Sequence, residues 1–236
     1  MMINAKYKRV MLKLSGEALA GERGFGIDDA TVKKVCALIA ECVSGGVQLG
    51  IVVGGGNFWR GRSSGDMDRA RADNIGMLAI MMNSLVLCDA LIEAGIGCKV
   101  MSAVDMPKFA ELFSAERARE YLDAGKAVVF GGGTGNPFFS TDTAAALRAL
   151  EIKADIYLMA TNVDGVYDRD PKKYPDAVKF DRLTHDEVLE RRLGVMDATA
   201  AALCRDNSLG ILVFNLNDPW NIIRAINGEN IGTIIK

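Results

Sequence analysis

The sequence predicts an α/β fold, with a mainly parallel central sheet sandwiched between helices. Three observations carry that prediction. Apolar runs of strand length alternate with helix-length stretches along the whole chain. Turn residues, mostly glycine, separate them. Three strand-like runs end in glycine beside Lys, Arg or hydroxyl groups, as expected where ligands sit outside the carboxyl ends of parallel strands.

In chain order, residues 9–14 read as a strand that delivers Lys13 into Ser15-Gly16-Glu17. Residues 28–44 make an amphipathic helix, with Asp28 or Asp29 near its cap and Gly45-Gly46 at its end. Residues 47–53 are strand and run into Gly54-Gly55-Gly56-Asn57. Phe58-Trp59-Arg60-Gly61-Arg62 follows and puts two guanidinium groups beside the turn. Residues 63–71 are polar without clear periodicity and read as a mobile loop. A long helix spans 73–93, apolar nearly all round and stopped by Gly95. Strand 99–101, helix 114–123 with Ser114 as cap, and strand 127–130 come next. After a second glycine run come helix 143–150, strand 155–159 and a loop at 171–175. Helices 184–192 and 197–207, strand 211–215, helix 219–227 and strand 233–235 complete the chain. Strands separated by helices imply right-handed crossovers. No linker-like stretch or repeat interrupts the pattern, so one domain is the simplest count.

The most informative run is Gly131-Gly132-Gly133-Thr134-Gly135-Asn136-Pro137-Phe138-Phe139-Ser140-Thr141-Asp142. Its glycines let the backbone approach a ligand closely. Ser140, Thr141 and Asp142 stand where a helix begins, and the first helical turn leaves N–H groups for an anion. Strand, glycine turn and helix start together describe a phosphate cradle. No Gly-Lys-Ser/Thr closes the run, so it is not a P-loop. Taken singly, such a turn serves close packing, and Lys13 could reach past its strand to solvent. Their joint occurrence points to a phosphate or nucleotide site.

The bulk numbers fit a globular protein: half the 236 residues are apolar and a quarter charged. A net charge of −2 gives no basic character that would argue for nucleic acid. Cys36, Cys42, Cys88, Cys98 and Cys204 form no Cys-x-x-Cys pair and read as buried thiols in a reducing cytoplasm. No N-terminal signal is expected, and residues 75–92 read as a core or interface helix before a membrane span. The single histidine, His185, is expected at an exposed helix terminus with Thr184 as cap, which excludes Ser-His-Asp and His-metal mechanisms.

At this point the motifs match a known family. Lys13-Leu14-Ser15-Gly16-Glu17-Ala18-Leu19, the Gly54 turn, residues 133–142 and Thr161-Asn162-Val163-Asp164-Gly165-Val166-Tyr167-Asp168-Arg169-Asp170-Pro171 closely resemble the bacterial uridylate kinases, of the amino acid kinase superfamily. The resemblance runs from about Tyr7 to Ile235 and implies one such domain over residues 1–236. It implies transfer of the γ-phosphoryl of ATP to UMP with Mg²⁺, in pyrimidine nucleotide (CTP) biosynthesis. By resemblance, Lys13, Leu14, Ser15, Gly16, Gly56 and Arg60 contact ATP phosphates, while Thr161, Asn162, Tyr167 and Asp170 line the adenosine pocket. Gly55, Asp73, Thr134, Gly135, Asn136, Pro137, Phe138, Phe139, Ser140 and Thr141 would hold UMP. Asp73 accepts from ribose hydroxyls or caps its helix, and the two roles are compatible. Asp142 and Asp197 are candidates to orient Lys13 or the Mg²⁺ shell, and Asp142 could instead cap its helix. Gly21, Glu22, Arg23, Gly24, Phe25 and Gly26 resemble the stretch implicated in GTP activation, and the family is also inhibited by UTP. A cytoplasmic homohexamer is implied. Two departures stand out: Asn74-Ile75-Gly76-Met77 replaces the common Met-Gly-Met, and Asn162 stands where some members have Lys. The competing readings are another amino acid kinase with a carboxylate or carbamate acceptor, and a regulatory or storage protein that binds nucleotide without catalysis.

Overall fold

The computed structural model describes residues 3–60 and 65–236. Arg62, Ser63 and Ser64, part of the second guanidinium and loop expectations, lie outside them. The first half runs β1 (Arg9–Leu14), α1 (Gly16–Leu19), α2 (Asp29–Ser44), β2 (Gln48–Val53), α3 (Arg69–Glu93), β3 (Cys98–Ser102), β4 (Glu111–Leu112), α4 (Ala115–Asp123) and β5 (Ala127–Gly131). The second half runs α5 (Thr141–Glu151), β6 (Ile156–Thr161), β7 (Val166–Tyr167), β8 (Lys179–Phe180), β9 (Arg182–Leu183), α6 (His185–Glu190), α7 (Ala198–Asp206), β10 (Ile211–Asn215), α8 (Asn221–Ile226) and β11 (Gly232–Ile235).

The main sheet has the order β4-β3-β5-β2-β1-β6-β10-β11-β9, and β7 pairs with β8 apart from it. Its pairings are parallel except β10 with β11. Alternation along β1 sorts the core into two layers. Val10, Leu12 and Leu14 face one layer with residues of α2, α3 and α8. Met11 faces the other with residues of α4, α5 and α7, and Lys13 shares its side.

Side-chain caps set most helix starts. Asp28 caps α2, Ser114 caps α4 and Ser140 caps α5. The α3 helix departs from expectation: it begins at Arg69, with Asp68 accepting from Arg71 N. The opening turn alternates arginine with alanine over residues 69–72, so its sequence shows no apolar period of helical length. Asp73 is therefore not the cap. By length and composition α3 could cross a membrane. It packs instead on α2, β2, β3 and β5.

His185 also corrects the sequence reading. It is buried, not exposed, although its neighbour Thr184 is exposed and caps α6 reciprocally with Glu187. α6 packs on α7, which turns its first residue inward toward Leu209. Burial holds the imidazole below its ordinary pKa. β4, β7, β8 and β9 were not legible, because two residues carry no period. All five cysteines are buried and free as expected, and burial pushes Cys36, Cys42 and Cys204 up to about 12.

Candidate active site

The parallel strands β1, β2, β5 and β6 finish at one edge of the sheet, so Leu14, Val53, Gly131 and Thr161 open onto a common face. The glycine-bearing ends meet there. Gly54 N donates to Leu14 O at 2.9 Å. A Cβ on Gly16 would lie 2.4 Å from Gly54 O and 2.6 Å from Asn57 Oδ1, so only glycine allows the start of α1 to abut the second turn.

The cradle is a left-handed run. Gly132, Gly133 and Gly135 have φ of 74°, 61° and 80°. Phe138, at φ 72°, shares this region without a glycine's freedom. Asp73 holds it: Phe138 N donates to Asp73 Oδ2 at 2.8 Å, and Arg69 Nε donates to the same oxygen at 2.8 Å. The Arg69 guanidinium also stands 5.8 Å from the Phe138 ring centroid. Asp73 thus ties α3 to the cradle. Thr134 Oγ1 accepts from Asn136 N at 3.2 Å and braces the turn.

Ser140 caps α5, its Oγ accepting from Asp142 N and Thr143 N. Asp142 therefore does not cap the helix; it occupies the first turn and faces Lys13. The Lys13 Nζ lies 2.8 Å from Asp142 Oδ1, within ion-pair distance but without hydrogen-bond alignment. Both side chains are mostly buried, at 14% and 18% exposure, where charges act more strongly than in water. Asp197 is placed differently from expectation. Among the described residues it makes no ion pair with Lys13; it caps α7 and accepts from the Ser140 and Thr143 hydroxyls. Its carboxylate aligns the start of α5, and so acts on Asp142 through the backbone. Beneath them the Tyr157 hydroxyl is fully buried without a partner. Burial, reinforced by Asp142, raises its pKa far enough to keep it neutral. Arg60 contacts the Glu17 carboxylate, which draws the Gly56 side of the turn toward α1.

Three cavities border this edge. One of about 140 Å³ gathers Gly55, Asp73, Thr134, Asn136, Phe139, Ser140 and Thr141. Trp59, Gly76, Met77 and Ile80 also line it and were missed from sequence. The last three follow Asp73 at helical spacing, which is the signal that finds them. Gly135, Pro137 and Phe138 belong to the same loop but do not line this cavity. On the other side of β1, a cavity of about 610 Å³ gathers Thr161, Asn162, Tyr167 and Asp170. Tyr167 donates to Asp164 Oδ1 at 2.6 Å, which holds that carboxyl below its usual range. A third, of about 820 Å³, joins Ser15, Thr161 and Asn162 to Gly21, Glu22 and Arg23. The 21–26 segment thus borders the Thr161 side of the site and is not remote from it. Phe25 is exposed and meets Phe58 edge-on, with ring centroids 5.8 Å apart. Leu14 is fully buried and its carbonyl accepts from Gly54 N, so it supports the turn from beneath. Two more cavities, near Lys6, Tyr7, Arg182 and Arg205, lie at the opposite end of the strands and have no glycine cradle.

A parallel sheet that presents a lysine, two glycine turns and a helix N-terminus at one edge has the architecture of an α/β phosphate-handling protein. Residues 8–215 match the amino acid kinase family, and the chain belongs to that family. Among solved structures it is similar to the UMP kinase of Bacillus anthracis, with 38% identity, a TM-score of 0.93, and 98% of this chain and 96% of that one covered. Similarity to the UMP kinase of Ureaplasma parvum is comparable: 38% identity, TM-score 0.92, with 98% and 99% covered. The uridylate kinase of Archaeoglobus fulgidus shares 32% identity at a TM-score of 0.74, with 96% and 99% covered.

Proposed function

We propose that this chain is a UMP kinase, a single-domain phosphotransferase that moves the γ-phosphoryl of ATP to UMP and yields UDP and ADP. One observation carries the reading. Lys13 projects from the strand that separates the Asp73–cradle cavity, beyond β2, from the Thr161–Asp170 cavity beside β6. A charge placed between two cavities suits a group in transit between them.

In this reading Gly55, Asp73 and residues 134–141 hold UMP, with Phe139 beside the base and the α5 N-terminus facing its phosphate. Ser15, Gly16, Gly56 and Arg60 hold ATP phosphates, and Thr161, Asn162, Tyr167 and Asp170 receive the adenosine. A UMP phosphate oxygen attacks Pγ while the bond from Pγ to the bridging oxygen of ADP breaks. The attacking UMP phosphate is largely ionised already, since phosphate monoesters have a second pKa of about 6, so no general base is required. Catalysis is then positioning and neutralisation. Lys13 follows the moving phosphoryl as a point charge, Arg60 grips oxygens with its fork, and Asp142 sets the lysine.

Mg²⁺ fits this donor set. Among the described residues no cluster of three metal-ligating side chains exists. Mg²⁺ at phosphoryl-transfer sites is held mainly by substrate phosphates and one or two carboxylates. Asp142, whose buried Oδ1 lacks a hydrogen bond, would be such a carboxylate, and the ion would neutralise phosphate charge. The reading extends to a cytoplasmic homohexamer serving pyrimidine nucleotide synthesis, activated by GTP through residues 21–26 and inhibited by UTP. A coupled assay with ATP and UMP, CMP, aspartate, glutamate or carbamate tests it. UMP-dependent ADP release is expected; preference for a carboxylate or carbamate would overturn it.

A further inference from the structure

We propose that Asn57 and Asn83 form a positioning pair that holds the 54–56 turn in its phosphate-facing shape and couples it to α3 and to the 21–26 segment. The inference rests on reading that turn as shared by the two nucleotides, with Gly56 at the ATP phosphates and Gly55 at UMP. Asn57 is 1% and Asn83 0% exposed. Their amides bond reciprocally: Asn83 Nδ2 donates to Asn57 Oδ1 at 2.7 Å, and Asn57 Nδ2 donates to Asn83 Oδ1 at 3.0 Å. Each has a second donor proton. That of Asn83 goes to Gly54 O at 2.7 Å, and that of Asn57 to Gly26 O at 2.7 Å. Gly26 N returns a bond to Asn57 O at 2.9 Å.

Every amide proton is thus used in a place without water. Flipping either amide would set acceptors against acceptors, so both orientations are determined. The pair does what apolar side chains of the same shape could not, since those would leave the Gly54 and Gly26 carbonyls without these donors. Its bonds end on backbone carbonyls of two glycine segments, which have no side chains to pack them in place. The held carbonyl matters for catalysis. Gly54 O is the atom against which Gly16 abuts, so a shift there disturbs the start of α1 beside Ser15 and Lys13. Asn83 also directly follows Met82 on the exposed apolar side of α3, so displacement of the helix moves the turn.

The test uses the full chain with Asn83→Ala, Asn83→Leu, Asn57→Ala and the double alanine variant. Ser84→Ala serves as control, since its buried hydroxyl bonds only to Ile80 O within the same helix. The readouts are kcat and KM for each substrate, with melting temperature alongside. Loss of about tenfold or more in kcat/KM for ATP is expected in either single variant, with kcat/KM for UMP falling as well and Ser84→Ala near wild type. The double variant should lose no more than the worse single one, as for residues acting as a unit. Asn83→Leu keeps the branched shape while removing the donors and adds no charge, so the comparison survives if alanine unfolds the chain. Variants that melt lower yet keep kcat/KM for ATP within twofold would overturn the proposal. A wild type unable to phosphorylate UMP would instead defeat the functional reading. Calorimetric ATP affinity of wild type against Asn83→Leu would then decide this one, unchanged affinity refuting it.

Discussion

Lys13 owes its place to the period of β1, which sends it to the layer of α5 where Asp142 waits at 2.8 Å. Removal of one charge contact made in the transition state typically costs ~10²–10³ in kcat. Lys13→Ala is expected to lose turnover on that scale while UMP binding weakens far less. A variant that keeps more than half the wild-type kcat in steady-state assays would take Lys13 out of the mechanism. Asp73 performs two tasks at once. Its Oδ2 holds Phe138 N and Arg69, while its position on the cradle cavity presents it to an acceptor. Asp73→Asn should raise KM for UMP more than KM for ATP, and equal increases would mean the pockets are exchanged.

At the level of elements, α6 carries a pH dependence. The His185 imidazole is kept neutral by burial, so its folded pKa lies below the ordinary value of about 6.5. Above that value neither state holds the proton and the contribution is fully present. Below it the unfolded chain takes up a proton that the folded chain refuses, so stability falls as pH drops toward the folded pKa. Melting temperatures from pH 7.5 to 5.5 should therefore decline, and His185→Gln should flatten that part of the decline. An unchanged slope would show that His185 is not the group. The 21–26 segment is the other element with a testable role. Its turn is bonded to Asn57, and Phe25 lies on its surface against Phe58. GTP is expected to raise the wild-type rate, and Phe25→Ala to blunt the rise while basal activity survives. Identical activation ratios would remove Phe25 from the response.

The molecule as a whole leaves one face uncovered. Ile75, Leu78, Met82, Leu85 and Ile92 are exposed along α3 at alternating three- and four-residue steps, with Asp89 at the remaining step. Such a row is the seam of a helix pair, and burying each large apolar side chain contributes roughly 1.5–3 kcal/mol. A second copy of α3 would satisfy it. Sedimentation at micromolar concentration should show an oligomer, and Met82→Glu should shift it toward monomer, because the seam would have to bury a carboxylate. A monomeric wild type would refute the assembly.

The alternation of strands and helices, the caps at Asp28, Ser114 and Thr184, and the glycine-bearing strand ends were legible in the sequence, since period and turn chemistry are local properties. The family motifs likewise marked Lys13, Asp142 and the cradle before any contact was known. Tertiary structure alone decided the rest. Two-residue strands carry no period, and the inward turn of His185 depends on α7 and Leu209, remote in sequence. Asp73 bonds Phe138 N, and Asp197 the Ser140 and Thr143 hydroxyls, because a carboxylate takes whichever N–H or hydroxyl folding brings to it. The Asn57–Asn83 pair joins residues 26 positions apart in the chain, and no local pattern announces a bond of that separation. Local chemistry thus named the elements and the phosphate edge, whereas packing between distant segments chose which side chains face one another there.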